Sequence, residues 1–348
     1  TYLVHDISTL SVPTQASPRC ASVPITYHDS ERRSSLPRRS IRNDCSSTTV
    51  TYLVRVTAKK VQRFLTLGVF KLTSLWMSVI QVFISDALVK TSPVYVAVDR
   101  TTWRDINLLV ASVIWKGRAI PLYWQRLEKL GNSHHTEQIT FLAVALTMLS
   151  GYPVVVLGDR EFCSVELARW LEQKGYDYCL RQKKSTYMLV EEQLWLKLAQ
   201  IGLSPGTQCF YNNVTLTKSK GFGQLQVAGK WKRRYRGFAP DEPWFLLTSL
   251  ATLDAAVCAY QKRFDIEEMF RDFKLGGYRL EGCRVNEKRF MAIVLVVAIA
   301  YLCAAQQGLQ LKQKALQKYG SRPDTSERIC RRHSYFHVGC AAYRWVPF

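Results

Sequence analysis

The rhythm of hydrophobic and polar positions divides the chain into helical, alternating and basic stretches. From about Tyr52 to Leu88 apolar residues recur at helical spacing (Val61, Phe64, Leu65, then Leu75, Trp76, Val79, Ile80, Phe83), which predicts one or two helices. VYVAV (94–98) is a compact strand ending at Asp99. NLLVASVIW (107–115) and AIPLYW (119–124) predict two more strands, with Lys116-Gly117-Arg118 as the turn between them. A helix follows from about Thr136 to Ser150, with Ile139, Leu142, Ala143, Leu146 and Leu149 apolar and a stop at Gly151. PVVVLG (153–158) is continuously apolar, as for a strand in the centre of a sheet, and ends at Asp159. Another helix (164–174) stops at Gly175, and DYCLRQK (177–183) is a fifth strand.

Three antiparallel strands, a helix, then alternating strand and helix is the order of a ribonuclease H-like α/β sheet, a mixed sheet with helices on both faces. A doubly wound nucleotide fold would want a Gly-rich phosphate loop after the first strand, and the sequence has none there. The alternation then changes character. Residues 205 to 239 hold no acidic residue but carry Lys218, Lys220, Lys230, Lys232, Arg233, Arg234 and Arg236. Short alternating runs flank the SKGFG turn, so this is a basic β-rich insertion. With Trp231, Tyr235 and Phe238 interleaved, it suits phosphate contact and base stacking, the bland alternative being a soluble lysine-rich hairpin.

Residues 251 to 275 read as one helix. Ile266, Met269, Phe270 and Phe273 form a core-facing stripe. Tyr260, Arg263, Glu267 and Lys274 fall within about 60° of one another, mostly beside that stripe. A carboxylate between two cations and a phenol suits a metal beside a phosphate, although a solvated helix with i,i+4 ion pairs has the same pattern.

Composition narrows the partners. The formal net charge of +21 over 348 residues points to nucleic acid, with anionic membrane as runner-up. The ten cysteines include no close CxxC pair and fit reduced intracellular thiols. The N-terminus lacks a charged segment followed by an apolar run, and the longest apolar run, Phe290 to Ala305, falls short of the roughly 20 residues that span a bilayer. It reads as a buried helix. Residues 1–50, rich in Ser, Thr, Arg and Pro, read as a disordered or degenerate segment. They begin with Thr, as a fragment or damaged reading frame would.

Asp99 and Asp159 each terminate an apolar strand, and Glu267 follows on a helix. An Asp at a strand end is often a turn former. Together the three offer hard oxygen ligands without His or Cys, which suits Mg2+ or Mn2+ rather than zinc. Two such ions about 4 Å apart can activate a water or a 3′-hydroxyl and stabilise the leaving oxygen of a phosphodiester.

Tyr260, Arg263, Glu267 and Lys274 match at every spacing the Y-(2)-R-(3)-E-(6)-K motif, and the chain resembles bacterial insertion-sequence transposases of the Asp-Asp-Glu class. AVDRTTW (97–103), VLGDREF (156–162), PWFLLTSL (243–250), RFDIEEMFRDFK (263–274) and RRHSYF (331–336) are similar to that family's blocks, in order, from about Val61 to near the end. The resemblance implies a ribonuclease H-like catalytic domain over 93–185 and 249–310, interrupted by a β-rich insertion at 186–248, behind a helical segment at 51–92 and ahead of a basic tail at 311–348. It implies Mg2+-dependent cutting at terminal inverted repeats, a hairpin intermediate, strand transfer into target DNA, and a DNA-bound homodimer. Asp99, Asp159 and Glu267 would be the catalytic metal ligands. Tyr260, Arg263 and Lys274 would hold the DNA, Trp244 would receive an extruded base, and Lys232, Arg233 and Arg234 would grip phosphates. The implied location is the prokaryotic cytoplasm, at the nucleoid, with no membrane partner. Residues 1 to about 55 do not resemble the helical N-terminal region of such proteins.

Rival readings remain at this stage. Cys330, His333, His337 and Cys340 have spacings that could hold zinc. His134 and His135 precede a helix and read as capping or surface residues. An inactive, truncated relic that retains only DNA binding is the nearest alternative, and a basic membrane-surface protein is a distant one.

Overall fold

A computed structural model describes residues 59–66, 69–103, 105–191, 193–233, 241–274, 277–314, 316 and 333–343, all within the unit Arg55–Phe348. The arm at 1–50, Arg234, Tyr235, Arg236, Phe238 and Cys330 lie outside these residues. Residues 59–64 are helical, and α1 (Val69–Ala87) follows. The strands β1 (Val94–Trp103), β2 (Ile106–Trp115) and β3 (Arg118–Leu127) form an antiparallel meander. Then come α2 (His135–Thr147), β4 (Val154–Gly158), a 3-10 turn (Arg160–Phe162), α3 (Val165–Gln173) and β5 (Asp177–Arg181).

β4 runs parallel to β1, and β5 parallel to β4. An antiparallel meander followed by two parallel strands on the β1 side is the ribonuclease H-like topology expected from the element order. The physical cause lies in the strands themselves. β2 and β4 are almost wholly buried because helices cover both faces, so β4 reads as an unbroken apolar run and β2 as one interrupted only by Asn107 and Ser112. On one face α1 packs Trp76 against Trp124 (centroids 5.2 Å apart) and Phe83 against Trp115 (5.3 Å). The Trp76 indole donates to the Leu122 carbonyl at 2.9 Å. On the other face Phe141 of α2 meets Tyr123, at 5.2 Å.

The basic insertion does not stand apart. Its strands β6 (Tyr187–Glu191), β7 (Leu194–Lys197), β8 (Gln208–Leu216) and β9 (Phe222–Lys230) continue the same sheet. β10 (Trp244–Thr248) is antiparallel to both β5 and β9, so the sheet has ten strands in the order β3-β2-β1-β4-β5-β10-β9-β8-β6-β7. The sequence assigns Trp244–Thr248 to the insertion, yet the strand is the junction between insertion and core. The β8–β9 hairpin is also tied to α3, through Lys220 to Glu166 and through Arg169, which donates to the Gly223 carbonyl and lies 5.2 Å from the Phe222 ring centroid.

Residues 251 to 275, expected as one helix, are two. α4 (Leu253–Lys262) and α5 (Phe264–Lys274) meet at Arg263, where the bonding tightens: the Arg263 N–H bonds to the Tyr260 carbonyl and the Ile266 N–H to the Arg263 carbonyl. The stripe of Ile266, Met269, Phe270 and Phe273 is buried as expected. α6 (Glu287–Gln313) is longer than the apolar run that announced it. By length and composition alone it could cross a membrane, but 61% of its apolar window is buried inside the protein.

α7 (Tyr335–Ala342) belongs to the stretch set aside as a tail, and it packs on α6 with Phe336, Val338 and Ala342 buried. Their contact is backbone against backbone. A methyl group on Gly308 would overlap the Tyr335 carbonyl, and one on Gly339 would overlap the Ala304 carbonyl. Gly308→Ala must therefore push the helices apart, and the expected loss is about 1–3 kcal/mol. Urea denaturation would measure it; a variant as stable as the parent would show that α7 does not seat there.

Candidate active site

Asp99 and Asp159 sit side by side because β1 and β4 are parallel and in register, with Val98 opposite Gly158. Asp159 does follow the last residue of β4, but Asp99 does not end its strand. β1 runs on to Trp103 because β2 continues to pair with it, Asp99 lying opposite Val110. Asp99 instead marks the point where the parallel ladder to β4 stops. Each carboxylate is oriented locally. Asp99 Oδ1 accepts the Arg100 N–H at 2.7 Å, and Asp159 Oδ1 caps the following 3-10 turn by accepting the Glu161 N–H at 2.8 Å. That turn folds back tightly over the strand end, where a Cβ at Gly158 would lie 2.6 Å from the Phe162 Cβ.

The break at Arg263 supplies the facing group. Its side chain is almost fully buried and reaches Glu267 Oε1 at 2.6 Å and Asp99 Oδ2 at 3.5 Å. The structure thus places Asp99 beside Asp159 and links it to Glu267 through Arg263, while the Glu267 side chain stays half-exposed. Among the described residues no three His, Cys, Asp or Glu side chains are gathered as a metal cluster. Electrostatics nonetheless favour a cation. Burial, then repulsion from Asp159, pushes the Asp99 carboxyl from its ordinary 3.8 up to about 7, with Glu267 adding repulsion and the Arg100 N–H and Arg263 opposing it. Two adjacent hard-oxygen donors whose charge Arg263 offsets only in part fit a divalent metal ion of the Mg2+ type.

The remaining expected residues are dispersed around this row. Tyr260 is fully buried between α4 and the sheet, near Asp159, and burial raises its phenol pKa. Lys274 lies at the far end of β1, where its ammonium donates to the Thr102 carbonyl at 3.1 Å and sits 5.3 Å from the Trp103 ring centroid. Trp244 is half-buried, with Tyr260 edge-on at 5.0 Å, Phe264 at 5.8 Å and the Lys232 ammonium 4.3 Å from its ring centroid. Arg233 is exposed. Away from the site, His333 and His337 stack on each other at 4.8 Å. The His134 backbone N–H is capped by Glu137 at 2.6 Å.

Sequence reasoning passed over an arginine pair beside Asp159. Leu180 pairs with Gly158, so Arg181 takes the next place in the row after Asp99 and Asp159. Arg181 and Arg160 both donate to Glu242 Oε1, at 2.8 and 2.7 Å. The only sequence signal was position: Arg160 follows Asp159, and Arg181 ends β5 as the aspartates lie at or near the ends of their ladders.

Comparison with known proteins adds the family. Residues 92–303 match the family described as "Transposase DDE domain". Comparison with curated proteins finds no match. Among solved structures the chain is similar to a piggyBac transposase, in a cryo-EM synaptic complex with hairpin DNA, at 10% identity and a TM-score of 0.38 over 72% of this chain and 51% of that one. The chain therefore spans about half the length of that transposase. The family match starts just ahead of β1, ends within α6 and takes in Asp99, Asp159, Arg263 and Glu267: the chain belongs to the DDE transposase family.

Proposed function

We propose that the chain is a bacterial insertion-sequence transposase that cuts DNA at terminal inverted repeats and joins the 3′ ends to target DNA. The observation that carries this reading is the side-by-side placement of Asp99 and Asp159 with Arg263 against them, in a chain of net charge +21. Asp99 and Asp159, with Glu267 beside them, would hold Mg2+ or Mn2+. The bound ions would supply Lewis-acid activation of a water or 3′-hydroxyl and stabilise the leaving oxygen.

The chain's own groups do the rest. Arg263 neutralises part of the carboxylate charge and draws Glu267 toward the pair. Arg160 and Arg181 offer two guanidinium forks to a phosphate beside Asp159. Lys232 and Arg233, just past the end of β9, add to that positive surface, and Trp244 offers an indole on which an extruded base could stack once Lys232 moves aside. The Y-R-E-K match of Tyr260, Arg263, Glu267 and Lys274 supports membership in the insertion-sequence branch, and with it a homodimer on DNA and a site of action at the prokaryotic nucleoid.

Mg2+-dependent cleavage of DNA bearing the terminal repeats of the encoding element is the direct test. Asp159→Asn is expected to abolish cleavage and leave DNA affinity within about twofold. Binding without cleavage by the unmutated chain would assign it to the relic instead.

The raised Asp99 carboxyl has a second consequence. Between pH 4 and 7 the native metal-free protein keeps a proton that the unfolded chain has released, so stability is fully present below about pH 4 and declines as pH rises toward 7. Asp99→Asn is expected to remove this decline and stabilise the metal-free protein at pH 8 by on the order of 2–4 kcal/mol. Mg2+ should raise the melting temperature of the parent and not of this variant. A parallel pH profile for the two proteins would contradict the assignment.

DNA affinity should fall steeply with salt, by about 0.9 log units per log unit of salt for each phosphate neutralised. Replacing Lys232, Arg233 and Arg234 together by Ala is expected to make that slope shallower by up to about three units. Fluorescence anisotropy across a salt series measures it, and an unchanged slope would assign the cluster to solubility.

A further inference from the structure

Side chains alternate along a strand, so Asp99 and Arg100 face opposite sides of the sheet. Asp99 faces α4 and α5. Arg100 faces the α2 side, where it meets a residue from the other aspartate segment: its Nε donates to Glu161 Oε2 at 2.9 Å, across 61 positions of sequence. The arrangement is reciprocal. Arg100 and Glu161 each give a backbone N–H to one aspartate, at 2.7 and 2.8 Å, and bind each other through their side chains.

Both partners are held further. The Glu161 carboxylate is nearly buried, and its second oxygen accepts the Ser133 N–H at 2.7 Å and the Ser133 hydroxyl at 2.6 Å. The buried Gln138 amide donates to the Glu161 carbonyl at 3.2 Å and to the Ser133 hydroxyl at 3.0 Å. Arg100 spends its other nitrogens on Asn107 and Asn132, each at 3.2 Å, and buried Asn107 in turn holds the carbonyls of Lys129 (2.9 Å) and Gly131 (3.1 Å).

We infer that Arg100 and Glu161 are a positioning pair that ties the two aspartate segments together from the reverse face of the sheet and holds Asp99 and Asp159 against their mutual repulsion. The inference rests on the reading of Asp99 and Asp159 as metal-holding carboxylates. Neither side chain faces the reactive side, so their work is to set the spacing of the two ligands. An arginine that holds three different partners through three nitrogens is not replaceable by lysine, whose single ammonium cannot span them. A carboxylate that carries three contacts is not replaceable by an amide, which would turn an N–H toward a donor.

The test is Mn2+ binding to the full chain without DNA, followed by electron paramagnetic resonance. Affinity specific to the site is defined as what an Asp99→Asn/Asp159→Asn double variant loses. Glu161→Gln is expected to weaken that affinity ten- to a hundredfold, the scale of losing an outer partner of a metal ligand, with DNA affinity in Mn2+-free buffer within about twofold of the parent. Arg100→Lys should give an intermediate loss, and it replaces Glu161→Gln should the latter fail to show a cooperative melt. Lys129→Ala, which removes the exposed pair with Glu137 nearby, is the control expected to change nothing. Unchanged Mn2+ affinity in a folded Glu161→Gln or Arg100→Lys protein overturns the inference and leaves the carboxylate reading intact. Should the parent bind no more Mn2+ than the double variant, the carboxylate reading falls and the inference with it.

Discussion

Two carboxylates held next to each other at the edge of a parallel ladder repel, and the architecture around them exists to withstand that repulsion. The register of β1 and β4 brings Asp99 and Asp159 together on neighbouring segments. Burial, and then repulsion from Asp159, both push the Asp99 carboxyl up. Arg263 answers it from the front, a guanidinium enclosed between α5 and the sheet with one carboxylate on either side. Arg263 sits at the joint between α4 and α5, where the hydrogen bonds tighten, and its side chain is buried there.

Much of the fold was legible because burial on both faces of a sheet leaves a plain signature. The mostly apolar run at 107–115 read as a strand and the continuous one at 153–158 as a central strand, and the acidic residue after the latter pointed to Asp159. Asp99 was found for a partly mistaken reason. Its strand extends to Trp103, because Arg100, Thr101 and Thr102 are paired by β2, and polar residues in a paired strand look from sequence alone like the end of one. The helix break at Arg263 was equally hidden, since its φ and ψ are helical and only the hydrogen bonds change partner.

What stayed illegible was contact across long separations. Arg100 and Glu161 looked like ordinary neighbours of two aspartates, and Arg181 like the polar end of a strand. Glu242 drew no notice at all. Beyond position in the chain none carries a local signal, since each acquires its meaning from a partner that the sheet brings near. The glycine contact between α6 and α7 was hidden in the same way, because a glycine in an apolar helix gives no hint of the carbonyl pressed against it.

The sharing of β10 between core and insertion sets a limit on how this chain can be shortened. An insertion hung on a pair of loops can be excised by evolution or by design, leaving the host to close over the gap. Here a cut that removes 186–248 also removes the strand beside β5 and leaves the N–H and C=O groups on that side of Asp177–Arg181 bare. Such a truncated product would carry an adhesive margin beside Asp159 and would join other copies edge to edge. A viable trimmed form has to keep Trp244–Thr248 and replace what lies outside it with a chain that can shield its free side.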